Sequence, residues 1–418
     1  MSKKNLFFAL LFFFAVVGNV FSQEEGVLAE DNVQQNLLIS TFNIEGLKRT
    51  KRHYMDKLLS GFLQKPASDE TLKAIETKLQ AENLFDQIKV SAKKLDDERA
   101  EVDISFKEKW SVLPLPIGYY TGDSFAAGLF LMDMNTFGLH CSTILGGLYS
   151  TNGIMAAGVF QKPPVRKGEI GFAFAGNVSK NKREFANSRN YKVFEYESFY
   201  AGGRGKILLK PSDLTQASFG VGYSFFNPID SPQVQRRNQW SVDASWGIST
   251  TSWNGFFLNV NSFNVGGELL FSDVSEQVFA QTVSVSGEVQ RALFDRLRLV
   301  TGARGFFSNN LLKTNYVGRG NSAVTLLPTY FMTDQICGLF TGFEAAVVKA
   351  KFGVLSIYGL YEVAVARELN NSIYACSGPE MGLRVYLAKL AFPAFSMGAS
   401  YNINENRFQY SFSGGASF

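Results

Sequence analysis

The sequence predicts a mainly β protein: a transmembrane antiparallel β-barrel of about 16 strands, preceded by one small β-α-α-β-β domain. Three observations predict it. Strand-length segments with one apolar and one polar face repeat from Trp110 to Phe418. Helical spacing is confined to a short region before Trp110. An export-type leader precedes both.

The last strand shows the pattern most plainly. Phe408, Tyr410, Phe412, Gly414, Ala416 and Phe418 alternate with Gln409, Ser411, Ser413, Gly415 and Ser417. Successive strand side chains point to opposite faces, so this segment has an apolar outside and a Ser/Gly/Gln inside, as a barrel wall in lipid requires. The alternation recurs at Ala217–Phe225, Trp240–Ile248, Val283–Val289 and Phe395–Ile403. A soluble β-sandwich would alternate too. The 39 Phe, 16 Tyr and 4 Trp, with 38 Gly and only 19% charged residues, favour the aromatic girdles and glycine-rich curved strands of a membrane wall.

At the N-terminus, Lys3 and Lys4 precede the apolar run Asn5–Val17, and Val20-Phe21-Ser22 leads to an expected cut near Gln23. Residues 1–22 therefore read as a signal peptide. The run is short for an uncleaved anchor helix, and no Cys follows it to carry a lipid. Residues 23–37 read as a flexible leader.

The small domain is expected over 38–109. Leu38, Ser40, Phe42 and Ile44 alternate in a first strand, turned by Glu45-Gly46. Thr50 is expected to cap a helix carrying Tyr54, Leu58 and Phe62; Ser68 caps a second with Leu72, Ile75 and Leu79 on one stripe. Ile88, Val90 and Ala92, then Val102, Ile104 and Phe106, form two strands joined by Asp96-Asp97-Glu98-Arg99. The barrel fills 110–418. Short turns are expected at Asn135–Gly138, Val165–Gly168, Asp295–Arg296 and Lys351–Gly353, and longer loops at Lys182–Glu197, Pro228–Asn238 and Asn309–Gln335. Short turns at one rim and long loops at the other are the outer-membrane arrangement.

Chemistry is conspicuous by its sparseness. There is no Ser/His/Asp set, nucleotide loop or metal cluster, so no enzyme activity and no cofactor is expected. Cys141, Cys337 and Cys376 are odd in number and scattered, which fits neither a disulfide framework nor a metal site. His53 reads as exposed and His140 as a strand start. Gly202-Gly203-Arg204-Gly205 lies on a strand with no following helix, so phosphate binding is not expected there. A formal charge of +4 gives no argument for nucleic acid.

The order of small module then barrel resembles the BamA/TamA superfamily of outer-membrane assembly and secretion factors. Phe42–Thr50 is similar to the opening strand and turn of a POTRA domain, Asn83–Val90 to its second-helix exit, and Lys107–Pro114 to the crossing into the barrel. Asp133–Gly138 resembles the first periplasmic turn. The family carries an Arg-Gly-aromatic motif in its sixth outer loop; the resemblance assigns it to Arg319 and Gly320, or alternatively to Arg304 and Gly305, where Arg304 would face the lumen with Arg298. It further implies lumen partners at Glu344, Glu362 and Arg384, with Tyr361–Ala364 standing where the family has Asp-x-Gly and Gly382-Leu383-Arg384 resembling its Gly-x-Arg. A guanidinium reaching such carboxylates would pin the loop inside the barrel.

By that resemblance the protein sits in the bacterial outer membrane with a single POTRA-like domain in the periplasm. It would assist insertion or translocation of polypeptides. The edge strand at Ile88, Val90 and Ala92 would take an extended client by strand addition. A seam between the first strand, with Pro114 and Pro116, and the last, with Gly414, Gly415 and Phe418, would open toward lipid. The expected partners are outer-membrane lipid, unfolded or extended clients, and periplasmic chaperones or accessory lipoproteins. A pore for a small solute or lipid, and a structural surface antigen, are the alternatives.

Overall fold

The computed structural model describes residues 37–414 apart from 83, 121–124, 230–233, 255–256, 275–277, 310–316, 319–323, 329, 351–352, 369 and 388–392. The expected signal peptide and leader, Arg319, Gly320, Gly415 and Phe418 lie outside the described residues.

The small module comprises β1 (Leu38–Glu45), α1 (Arg52–Leu59), a 3-10 turn at Ser60–Phe62, α2 (Asp69–Ala81), β2 (Phe85–Lys94) and β3 (Arg99–Glu108). Its sheet runs β1-β3-β2, with β1 parallel to β3 and β2 antiparallel to it. The helices bury Tyr54, Met55, Leu58, Leu59, Ile75 and Leu79 against Val102, Ile104 and Phe106. Ser68 caps α2, its hydroxyl accepting from the Thr71 amide at 3.3 Å. Two details differ from expectation. Lys51, not Thr50, is the N-cap of α1, and it makes no side-chain cap. A bulge between Ile39 and Thr41 also breaks the period of β1, so Ile39 rather than Leu38 is buried alongside Phe42.

The barrel begins with β4 (Val112–Tyr120), β5 (Phe125–Thr136), β6 (Cys141–Ser150), β7 (Gly153–Lys162) and β8 (Ile170–Ala186). Next come β9 (Lys192–Leu209), β10 (Thr215–Pro228), β11 (Arg237–Asn254), β12 (Phe257–Ser272), β13 (Phe279–Phe294) and β14 (Leu297–Ser308). A long connection then carries a small ribbon, β15 (Val317–Gly318) paired with β16 (Met332–Thr333). The wall ends with β17 (Gln335–Ala350), β18 (Gly353–Arg367), β19 (Ile373–Leu387), β20 (Pro393–Asn402) and β21 (Arg407–Gly414). Leaving out the ribbon, these strands form one 16-stranded sheet in which neighbours run antiparallel and β14 pairs directly with β17. β21 lies alongside β4, so the sheet closes on itself.

Inside and outside alternate residue by residue. Phe343 is 51% exposed and Glu344, its neighbour, 0%. Leu129, Phe174, Val221, Trp246, Met397, Phe408 and Tyr410 belong to the apolar exterior. With bilayer on that side, these groups lose no contact with water that they want; they are a transmembrane belt. The expected loop Lys182–Glu197 is instead mostly ladder. β8 and β9 are 17 and 18 residues long and continue well beyond the roughly 10 residues a tilted strand needs to cross hydrocarbon. Their charged residues pair across the strands, Lys182 with Glu195 at 2.7 Å and Lys180 with Glu197 at 3.0 Å, which makes a polar hairpin stable outside the membrane.

Candidate functional site

The module docks on the rim that carries the short turns. Arg49 reaches Ser111 Oγ at 2.7 Å and Asp133 Oδ2 at 2.8 Å. The Lys51 amide donates to the Gly138 carbonyl at 2.8 Å, and Asn135 Nδ2 to Thr50 Oγ1 at 2.9 Å. This explains why Thr50 is no cap: its hydroxyl is taken by the barrel turn. Gly138 sits at φ +72°, and a Cβ there would lie 2.1 Å from the Arg49 carbonyl oxygen. His140, expected to start a strand, is instead in the turn before β6 at φ +54°. Its Nδ1 lies 2.9 Å from the Tyr54 hydroxyl and 2.8 Å from Glu82 Oε2. Tyr54 also donates to Glu82, and Lys57 pairs with Glu169 on the turn between β7 and β8. Burial works to raise the Glu82 pKa, but the hydrogen bond and charge of His140, with the Tyr54 hydroxyl, outweigh it and hold the carboxyl below its ordinary value. Burial, then the Glu82 charge, pushes the Tyr54 hydroxyl up.

In the lumen near that rim, Glu344 is enclosed by Arg298 Nη2 and Arg384 Nη1, each 2.7 Å from Oε2, and by the Tyr386 hydroxyl at 2.7 Å from Oε1. Ser356 donates to the same Oε1. Arg298 also stacks over Phe257 at 4.7 Å, and Arg384 over Tyr358 at 4.2 Å. The expected loop guanidinium, Arg319, lies outside the described residues, and the partners of Glu344 among the described residues all come from the wall. Its acceptor sites are filled by side chains of the wall strands, because Arg298, Arg384 and Glu344 stand on inward positions of adjacent or near-adjacent strands.

Glu362 does hold the long connection, by different chemistry. The Thr325 amide and hydroxyl donate to Glu362 Oε2 at 2.8 and 3.0 Å. Ser400 Oγ donates to the Thr325 carbonyl at 3.2 Å. Asn402 Nδ2 and Gln409 Nε2 donate to the Leu326 carbonyl at 3.2 and 2.8 Å. Val324, Leu326, Leu327 and Phe331 are buried against Ile336, Ala364, Ala366 and Cys376. Residues 324–328 and Phe331 thus fold inward as a plug on the β17–β21 side. Arg304 and Gly305 lie on β14, not in a loop, and line a cavity of about 570 Å³ on the β9–β14 side together with Arg204, Lys206, Asp243 and Glu268.

Ile88, Val90 and Ala92 lie on β2, at the edge of the module sheet. Their side chains pack toward the module core, so what the edge offers is its main chain. Pro114 and Pro116 lie on β4, and Gly414 ends β21. β4 is paired with β5 and β21 with β20, while among the described residues no register joins β4 to β21.

No protein-family model matches the sequence, and no curated relative does. Solved structures do. BamA from Haemophilus ducreyi lacking POTRA domains 1–3 aligns over 99% of this chain and 94% of its own, at 10% identity and a TM-score of 0.57. CdiB from Acinetobacter baumannii aligns over 91% and 74%, at 13% identity and 0.60. The fold is similar to theirs. CdiB from Escherichia coli gives the same result, with 94% and 92% covered, 10% identity and a TM-score of 0.58. The likeness to BamA and CdiB is one of architecture, and at these identities it carries no residue roles.

Sequence reasoning missed the plug, Asn402, Gln409, and the interface formed by Arg49, Tyr54, Glu82 and His140. A signal existed for the plug: Val324, Leu326, Leu327 and Phe331 are an apolar group inside a polar loop. None existed for the interface, whose partners are up to 112 residues apart.

Proposed function

We propose that this protein is an outer-membrane factor that assists insertion or translocation of polypeptides, with its POTRA-like module in the periplasm. The observation that carries the reading is the seam. There β21 lies alongside β4, where the sheet closes. Pro114 and Pro116 supply no N–H, so those two positions of β4 can donate to neither side. A wall weak at one line can part there and expose paired-strand edges toward lipid. The fold likeness to BamA and CdiB supports the same class of work.

The module contributes a second edge. Among the described residues β2 pairs with β3 alone, and its outer main chain could add an extended client strand. The module sits on the short-turn rim, the periplasmic side of such barrels, so clients arriving there meet β2 before the seam. Accessory lipoproteins or chaperones would deliver them. The test is a photocrosslinking amino acid at Lys89 or Ser91 on β2 and at Gln409 on β21. The proposal expects adducts with newly exported barrel polypeptides at both strands; adducts at neither would end it.

A second reading, a pore for a small solute, is favoured by the polar cavity beside the plug. Ion-selective conductance in planar bilayers without any client adduct would support it instead.

A further inference from the structure

Lumen cations in this barrel generally face carboxylates: Arg204 pairs with Asp243 and Glu268, and Lys206 with Asp243. Arg237 does not. It stands at the long-loop end of β11 and is 2% exposed, yet its Nε and Nη2 meet no acceptor among the described residues. Gln239, the next inward residue on the same strand, has its Nε2 buried without an acceptor as well. The Arg237 guanidinium lies 4.8 Å over the Phe226 ring, and that of Arg183 lies 5.6 Å from the same ring. Tyr196 meets Phe226 edge-on at 6.1 Å, and Phe185 and Val234 complete an apolar wall. Asp273, an acid within electrostatic reach, is already engaged by the amide and side chain of Asn238.

Burying a guanidinium with unanswered N–H groups is costly, and a second guanidinium beside it adds repulsion. Nε–H and Nη2–H are moreover the parallel edge of arginine that grips two oxygens of one anion. We propose that Arg237, with Gln239 and Arg183, forms a receptor site for a small phosphate-class oxyanion at the long-loop end of the lumen. Tyr196 also lines a cavity of about 440 Å³ with Asn152, Lys182, Glu195 and Glu197. The site is on the inward face of β11, while Trp240 and Trp246 mark the outward face. A soluble anion therefore fits it better than a membrane headgroup.

The test is calorimetric titration of the folded full chain with inorganic phosphate, against chloride at equal ionic strength. Wild type should bind saturably, Arg237→Gln at least tenfold more weakly, and Arg237→Lys in between. Arg304→Gln, in the other lumen cavity, should bind like wild type. Heat-dependent gel mobility reports that each variant is folded. Repeating the titration in phosphatidylcholine vesicles with and without phosphatidylglycerol separates the sources, and the proposal expects no change. Absence of saturable binding, equal affinity in Arg237→Gln, or competition by the anionic lipid would overturn it.

Discussion

Glu344 is cut off from water and surrounded by four donor side chains, Arg298, Ser356, Arg384 and Tyr386. Removing its charge leaves the buried Arg298 with only the neutral acceptors Gln290 and Tyr386, and an uncompensated buried charge costs more than the pair itself contributes. Glu344→Gln should destabilise the barrel by about 3–5 kcal/mol, seen as a lower temperature for loss of the folded gel form. Glu82 carries a different prediction. Its folded pKa is depressed, so its contribution to docking is complete above the ordinary glutamate value of 4.5 and is lost as pH falls from there through the folded value. Protease cleavage between module and barrel should therefore accelerate below pH 4.5, and Glu82→Gln should remove that dependence. From sequence, Glu344 was readable as inward because its neighbours Phe343 and Val347 are apolar on the other parity. Its partners were not, since one strand's period says nothing about which residue lies opposite.

At the scale of elements, period two carried the barrel wall because each strand divides lipid from a polar lumen, although register shifts interrupt it at Asp133/Thr136, Ala292/Phe294 and Ala346/Val348. It failed where a local event shifted the phase, as at the Ile39 bulge, or where charges alternate outside the membrane, as in β8 and β9. The plug was missed for another reason. A loop segment's destination depends on donors from distant strands, here Asn402 and Gln409 on the Leu326 carbonyl. Because Gln409 lies on β21, the plug also ties the last strand to the lumen. Asn402→Ala with Gln409→Ala should free residues 324–328, raising planar-bilayer conductance and exposing that segment to protease while the barrel remains folded. Unchanged conductance and protection would mean that apolar burial alone retains the plug.

For the whole molecule, module and barrel are joined through Arg49, Thr50, Lys51, Tyr54 and Lys57 on one side and Asp133–His140 and Glu169 on the other. These contacts place the module, with its β2 edge, against the short-turn rim of the barrel. The two-part architecture was legible because helical spacing stops at Trp110; the docking was not, because it is built from side chains far apart in sequence. The central claim is that β4 and β21 separate during function. It is tested by placing one cysteine on β4 and one on β21, with Cys141, Cys337 and Cys376 replaced, and following folding of exported barrel proteins before and after oxidation. The account predicts that the oxidised protein loses client insertion and that reductant restores it. Full insertion with the seam covalently closed would contradict it.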